Sequence, residues 1–214
     1  MKRFVMTLLA AASLAAVLGA CAPVVVGGAV VGGLVAVDRR TAGAQLEDER
    51  IELRGAARIR DALGTRVRVE ITSYNRQVLL TGEAPNEQDK KRVEQVISAV
   101  ENVRSVVNEL VIMDTPSLKQ RSSDALITGK VKASLIDARD LYANAFKVVT
   151  ERGTTYLMGR VTQREADRAT EIARSVSGVQ RVVRILEIIS DEELQRLLPP
   201  ADKPVPPAAT PPAS

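Results

Sequence analysis

Few side chains in this sequence can do covalent chemistry. Histidine is absent, which removes the usual general base and the commonest metal ligand. The one thiol is Cys21, so no disulfide can close within the chain. Aspartates and glutamates are scattered and fall mostly on polar helix faces. No glycine-rich phosphate loop stands between a strand and a helix. The sequence therefore points to no catalytic residue, no cofactor and no metal, and an enzyme is the least favoured class. Cys21 is the exception that needs an account, because small residues precede it in Leu18-Gly19-Ala20-Cys21.

The flank of Cys21 supplies that account. Met1-Lys2-Arg3 is a short positive region, and Phe4 to Val17 is an apolar run interrupted only by Thr7 and Ser13. This is the layout of a secretory signal peptide over residues 1–20, too short and wrongly flanked for a membrane span. Leu18 to Cys21 resembles the lipobox of bacterial lipoproteins. That resemblance implies diacylglycerol on Cys21, cleavage before it and acylation of the new amine. Several acyl chains bury far more CH₂ groups than one myristoyl chain, so attachment is expected to be stable. Ala22 follows, and the lack of Asp there implies the outer membrane, with the rest of the chain in the periplasm. Val24 to Val37 is apolar but carries Gly27-Gly28 and Gly32-Gly33, which makes a poor independent helix. It reads as a lipidated tether over 21–44 or as a segment that packs on a partner. Asp38-Arg39-Arg40 reads as the return to water.

Behind this address lies an internal repeat. Val78-Leu79-Leu80-Thr81-Gly82 matches Thr155-Tyr156-Leu157-Met158-Gly159. Val93, Val96, Ile97 and Val100 match Ala169, Ile172, Ala173 and Val176. Val103, Val106, Val107 and Ile112 match Val179, Val182, Val183 and Ile188. Two small domains are expected, over 45–113 and 123–189. Each opens with an amphipathic helix, Ile51 to Leu63 and Asp124 to Leu135. A strand follows in which Val67, Val69 and Ile71 alternate with polar residues, as in a half-buried strand; its counterpart holds Phe146, Val148 and Thr150. Tight turns at Tyr74-Asn75-Arg76 and Arg152-Gly153-Thr154 lead to second strands ending at Gly82 and Gly159. Each glycine is expected where a side chain would clash with the next helix. Asn86 with Asp89, and Thr162 with Glu165, fit capped helix starts, and a final strand closes each unit. The fold class is α+β: helix-strand-strand-helix-strand, twice, with two helices on one face of a three-stranded mixed sheet. A short linker, 114–122, separates the copies. Ser190 can cap a short helix, and the Pro- and Ala-rich tail closes the segment 190–214.

Lys and Arg total 30 against 26 Asp and Glu, and aromatics are scarce, so no nucleic acid is expected as a partner. The repeated unit resembles the BON domain. The resemblance is carried by Val78-Leu79-Leu80-Thr81-Gly82-Glu83-Ala84-Pro85 and by Thr155 to Thr162 with Gln163-Arg164-Glu165-Ala166. With the lipobox and the Gly-rich segment, the chain is similar to the dual-BON outer-membrane lipoproteins of the DolP type. That implies a non-enzymatic, lipid-anchored protein that supports outer-membrane integrity and contacts anionic phospholipid through the first helix of its second domain. In this chain that helix carries Leu126, Gly129, Lys130 and Ala133 at helical spacing, with Lys132 beside them. Ile127, Val131 and Leu135 form its core stripe, and Leu126 lies off that stripe. Leu126 stands where the family has a bulky aromatic, and it lacks the interfacial preference of Trp. Lys130 and Lys132 read either as solvated charge or as contacts for anionic headgroups. The alternative function is a periplasmic adaptor that engages an envelope protein.

Overall fold

The computed structural model describes residues 38–113 and 118–197. The order is α1 (Ala42–Leu63), β1 (Arg68–Tyr74), β2 (Gln77–Ala84), α2 (Glu87–Ser98), β3 (Ser105–Asn108) and β4 (Val111–Ile112). The second copy is α3 (Leu118–Asp137), a 3-10 turn at Ala143–Ala145, β5 (Phe146–Glu151), β6 (Thr154–Val161), α4 (Gln163–Ser175) and β7 (Arg181–Ile188), with α5 (Asp191–Leu197) after it. In each sheet the first two strands are antiparallel and the closing strand is parallel to the middle one. The expected α+β unit is present twice. Both opening helices begin earlier than their apolar stripes. Thr41 accepts from the amide of Ala44 and caps α1.

The hairpin turns are set by a device that the sequence reading missed. Asn75 and Arg76 both have positive φ, as do Arg152 and Gly153. Positive φ at both centres marks the turn whose twist suits adjoining strands, yet arginine does not favour it. A carboxylate from the opening helix holds each turn there. Asp48 accepts from the amides of Asn75 and Arg76, each at 2.7 Å, and from the Ser73 hydroxyl at 2.7 Å. Asp124 accepts from the amides of Arg152 and Gly153, each at 2.9 Å. Each helix is thereby docked on its own hairpin.

The glycines differ from expectation. The middle strands run two residues past Gly82 and Gly159. A Cβ on Gly82 would lie 2.1 Å from the Arg68 carbonyl oxygen, and one on Gly159 would lie 2.4 Å from that of Ala145. The constraint is the neighbouring chain at the sheet edge, not the following helix. The closing strand of the first copy also departs from the plan. It breaks into β3 and β4 around Glu109 and Leu110, where the Leu110 amide donates to the Asn108 side chain and Leu110 is buried. The helix starts follow the expected chemistry. Asn86 accepts from the Asp89 amide at 2.8 Å, and Thr162 with Glu165 forms a reciprocal capping box.

Each copy has its own core between helices and sheet. Ile51, Ile59 and Leu63 meet Val78, Leu80, Val93 and Ile97 in the first. Ile127, Val131 and Leu135 meet Leu157, Val161, Ala169 and Ala173 in the second. The opposite sheet faces pack on each other. Tyr74 and Leu79 join Tyr156, Met158 and Ile185 in a third apolar cluster, with Val107, Val149 and Val183 at its border. Burial pushes both seam tyrosine hydroxyls up, that of Tyr156 to about 12. One polar alternate of β1, Arg68, belongs to the rim of this seam. Arg68 pairs with Glu83 and with Glu151 of the other copy, and Arg152 pairs with Glu83 at 3.0 Å. Arg104 and Asn75 reach Glu187 at 3.0 and 2.8 Å, and Arg181 reaches Glu109 at 2.8 Å.

The residues before α1 also bridge the copies. Arg39 is 2% exposed, so it does not mark a return to water. Its guanidinium forms a bidentate pair with Glu165 at 2.7 and 2.8 Å and donates to the Arg160 carbonyl at 3.0 Å. Arg40 pairs with Asp48 at 2.8 Å and stacks on Tyr74, 4.3 Å from the ring centre.

Two predictions follow from these contacts. Asp124→Ala removes two charge-assisted bonds and frees a strained turn, so chemical denaturation should show a loss of about 3 kcal/mol. Glu165 sets the acid limit of the clasp. Burial pushes its carboxyl up, but Arg39 and the Thr162 amide outweigh this and hold it below the usual glutamate range. A depressed carboxyl stabilises the fold fully above its unfolded value, and that share is lost as pH falls through the folded one. Stability measured against pH should begin to drop as pH passes below 4.5, the ordinary glutamate value. Glu165→Gln should flatten that part of the curve.

Candidate functional site

The core demands of α3 use only one of its faces. Val131 is 0% exposed and Ile127 and Leu135 are buried with it. The opposite face would be polar in an ordinary surface helix. Here it is not. Leu126 is 67% exposed and Ile136 is 69% exposed. Gly129 and Ala133, also exposed, lie between them at helical spacing. A Cβ on Gly129 would meet nothing within 4 Å, so packing does not require the glycine, and its absent side chain leaves the stripe flat. Lys130 and Lys132 flank the stripe, both exposed, and neither has a hydrogen bond or ion pair among the described residues.

All five residues singled out on this helix therefore stand in one solvent-facing strip, and Ile136 extends it. Sequence reading passed over Ile136 because it follows Leu135, which closes the core stripe. The signal was available: Ile136 lies three residues beyond Ala133 and seven beyond Gly129. Cys21 lies outside the described residues.

The strip runs into a groove of about 420 Å³. Leu135, Ile136, Phe146 and Val148 supply its apolar wall, and Lys132, Lys147 and Arg40 its cations. Arg40 is held by Asp38 and Asp48, at 2.7 and 2.8 Å, and Lys147 by Glu52 at 2.9 Å. Lys132 is the cation of this groove without a counter-ion among the described residues. A flat apolar strip flanked by lysines is suited to contact with an apolar, anionic surface. Among the described residues no cluster of Asp, Glu or Cys is arranged to hold a metal, and no helix is long and apolar enough to cross a membrane.

Comparison with known proteins places the chain in a family. The BON domain model matches residues 53–114 and 123–189, the two copies of the repeat. The outer membrane lipoprotein DolP of Haemophilus influenzae is 36% identical over 192 residues, taking in 86% of this chain and 100% of that protein. A 21 kDa hemolysin of Actinobacillus pleuropneumoniae is 34% identical across 72% of this chain and 80% of its own length. The osmotically-inducible protein Y of Escherichia coli is 30% identical across 53% of this chain and 58% of its own. The chain belongs to the BON domain family, as a dual-BON outer-membrane lipoprotein of the DolP type.

Proposed function

We propose that this protein is held to the outer membrane by lipid on Cys21 and binds anionic phospholipid through the exposed strip of α3, in support of outer-membrane integrity. The observation that carries the reading is the pair of large apolar side chains, Leu126 and Ile136, standing in water on a helix whose other face is already buried. Isolated exposed leucines are common, but four apolar or small residues in register along one helix face are not accounted for by the core. Burying a leucine in the acyl boundary contributes about 1.5–3 kcal/mol. Lys130 and Lys132 each add about 1 kcal/mol near an anionic leaflet. These are weak contacts for a free protein. Anchorage raises the effective lipid concentration, so they need only orient a domain that is already at the surface. The relative named an outer membrane lipoprotein supports the anchor half of this reading. The contact surface has the character of a binding module, and no group on it is placed for catalysis.

A soluble form beginning at Ala36, which retains Arg39 and Arg40, tests the contact. It should bind phosphatidylglycerol vesicles in preference to phosphatidylcholine ones, with amide shifts centred on Leu126 to Ile136. Leu126→Asp should cut binding by about tenfold or more while changing stability by no more than about 0.5 kcal/mol, because that side chain is exposed. Val131→Asp, by contrast, places a charge in the core and should unfold the second domain. Equal binding to neutral vesicles, or no effect of Leu126→Asp, would sink the proposal.

A further inference from the structure

The groove between opening helix and first strand occurs in both copies, and its charge is reversed between them. Asp48 and Asp124 hold equivalent turns, which sets the correspondence of α1 with α3. The pairing of Val69 with Gly82 and of Phe146 with Gly159 sets that of β1 with β5. On this correspondence Ala56 stands where α3 has Lys132, and Glu70 stands where β5 has Lys147. The first-copy groove, about 450 Å³, is lined by Leu53, Ala56, Val69 and Ile71 with Glu49, Glu52 and Glu70. No cation lines it. Leu53 is 72% exposed at its mouth. Glu49 and Glu70 are exposed and make no ion pair among the described residues.

The groove lies along an open sheet edge. β1 is an end strand, paired with β2 alone. The two-residue turn makes Tyr74 and Gln77 a hydrogen-bonded pair, so alternate residues back from it, Thr72, Glu70 and Arg68, face β2. Ser73, Ile71 and Val69 then face outward. Ser73 bears this out: its amide donates to Glu52 at 2.7 Å and its carbonyl accepts from Lys147 at 3.2 Å. That end of the edge is closed by side chains. At Val69 and Ile71, the two strand residues with apolar side chains in the groove, no strand of the described residues lies alongside.

We infer that the groove of the first domain takes an extended, basic segment of a partner protein, which adds as a strand to β1 with apolar side chains over Leu53 and its cations on Glu49 and Glu70. Main-chain bonds to an edge supply affinity in this mode, and alternate side chains supply selectivity. The charge reversal argues against a lipid occupant, because an anionic surface that attracts Lys132 repels Glu49 and Glu70. The two domains thereby have separate ligands.

The test uses the full chain in phosphatidylcholine nanodiscs and a labelled peptide of about nine residues, the upper range of natural strands, alternating Lys and Val. Binding should weaken with salt, and hydrogen exchange at the Val69 and Ile71 amides should slow when the peptide is present. Glu49→Lys with Glu70→Lys should weaken binding by about tenfold or more. Both sites are exposed, so thermal melting should stay unchanged, and attachment to phosphatidylglycerol vesicles should be retained. Leu53→Asp is a second variant that should weaken binding without reversing the rim. No binding of the Lys–Val peptide overturns the inference. So does equal binding of a Glu–Val peptide, binding that survives the double charge reversal, or protection confined to the edge of β5.

Discussion

The seam between the two sheets decides what the rest of the protein is free to do. Leu79, Met158 and Ile185 fill it, and two of the three tyrosines in the chain, Tyr74 and Tyr156, are spent there. Aromatic rings are the largest apolar surfaces available, and a chain this poor in them places them where two domains must hold together. The ion pairs of Arg68, Glu83, Glu151 and Arg152 close one border of the seam. With one face of each sheet under its helices and the other in the seam, neither sheet face is left to meet a ligand. Among the described residues, helix surfaces, strand edges and the grooves between them remain, which is why the exposed strip of α3 and the edge of β1 carry the weight they do.

Much of this was legible in the sequence. Duplication made the elements readable twice, so the capped starts at Asn86 and Thr162 and the core stripes of the helices could be set against each other. The seam was hidden for a physical reason. Arg68 alternates with apolar neighbours, as on a strand with one wet face, and the pattern does not distinguish water from an ionic partner on another domain. The clearer signal was in β2 and β6. Leu79, Tyr156 and Met158 break the alternation and make both strands apolar on both faces, as buried strands are. The turn carboxylates Asp48 and Asp124 were not legible, since an Asp on a helix is ordinary until the hairpin it meets is known. The outward strip of α3 was readable as far as Ala133. Beyond it Ile136 adjoins Leu135, and adjacent apolar residues on a helix read as one stripe unless the angle between them is counted.

The Arg39–Glu165 pair shows how the residues just before α1 are joined to this arrangement. Burying two charges costs several kcal/mol each, and the bidentate geometry with the added Arg160 carbonyl offsets that cost without making a large net gain. A pair of apolar residues could hold the segment as firmly. What they could not do is fix one register. Glu165 is also the capping-box partner of Thr162, so its carboxylate has a set position before Arg39 arrives. Arg39 can therefore dock in one place, at the start of α4, while its neighbour Arg40 grips Asp48 of the first domain. Two adjacent arginines thus tie both domains to the point where the chain comes in. The equivalent position in the first copy is Asp89, whose carboxylate accepts from the Asn86 side chain at 3.2 Å and lies 3.6 Å from Arg66. Duplication alone supplied two candidate docking points, and Arg39 takes the one at Glu165, whose two carboxylate oxygens both meet its guanidinium fork. That choice brings Asp38 to Arg40 to the side of the second domain, beside the groove into which the strip of α3 runs.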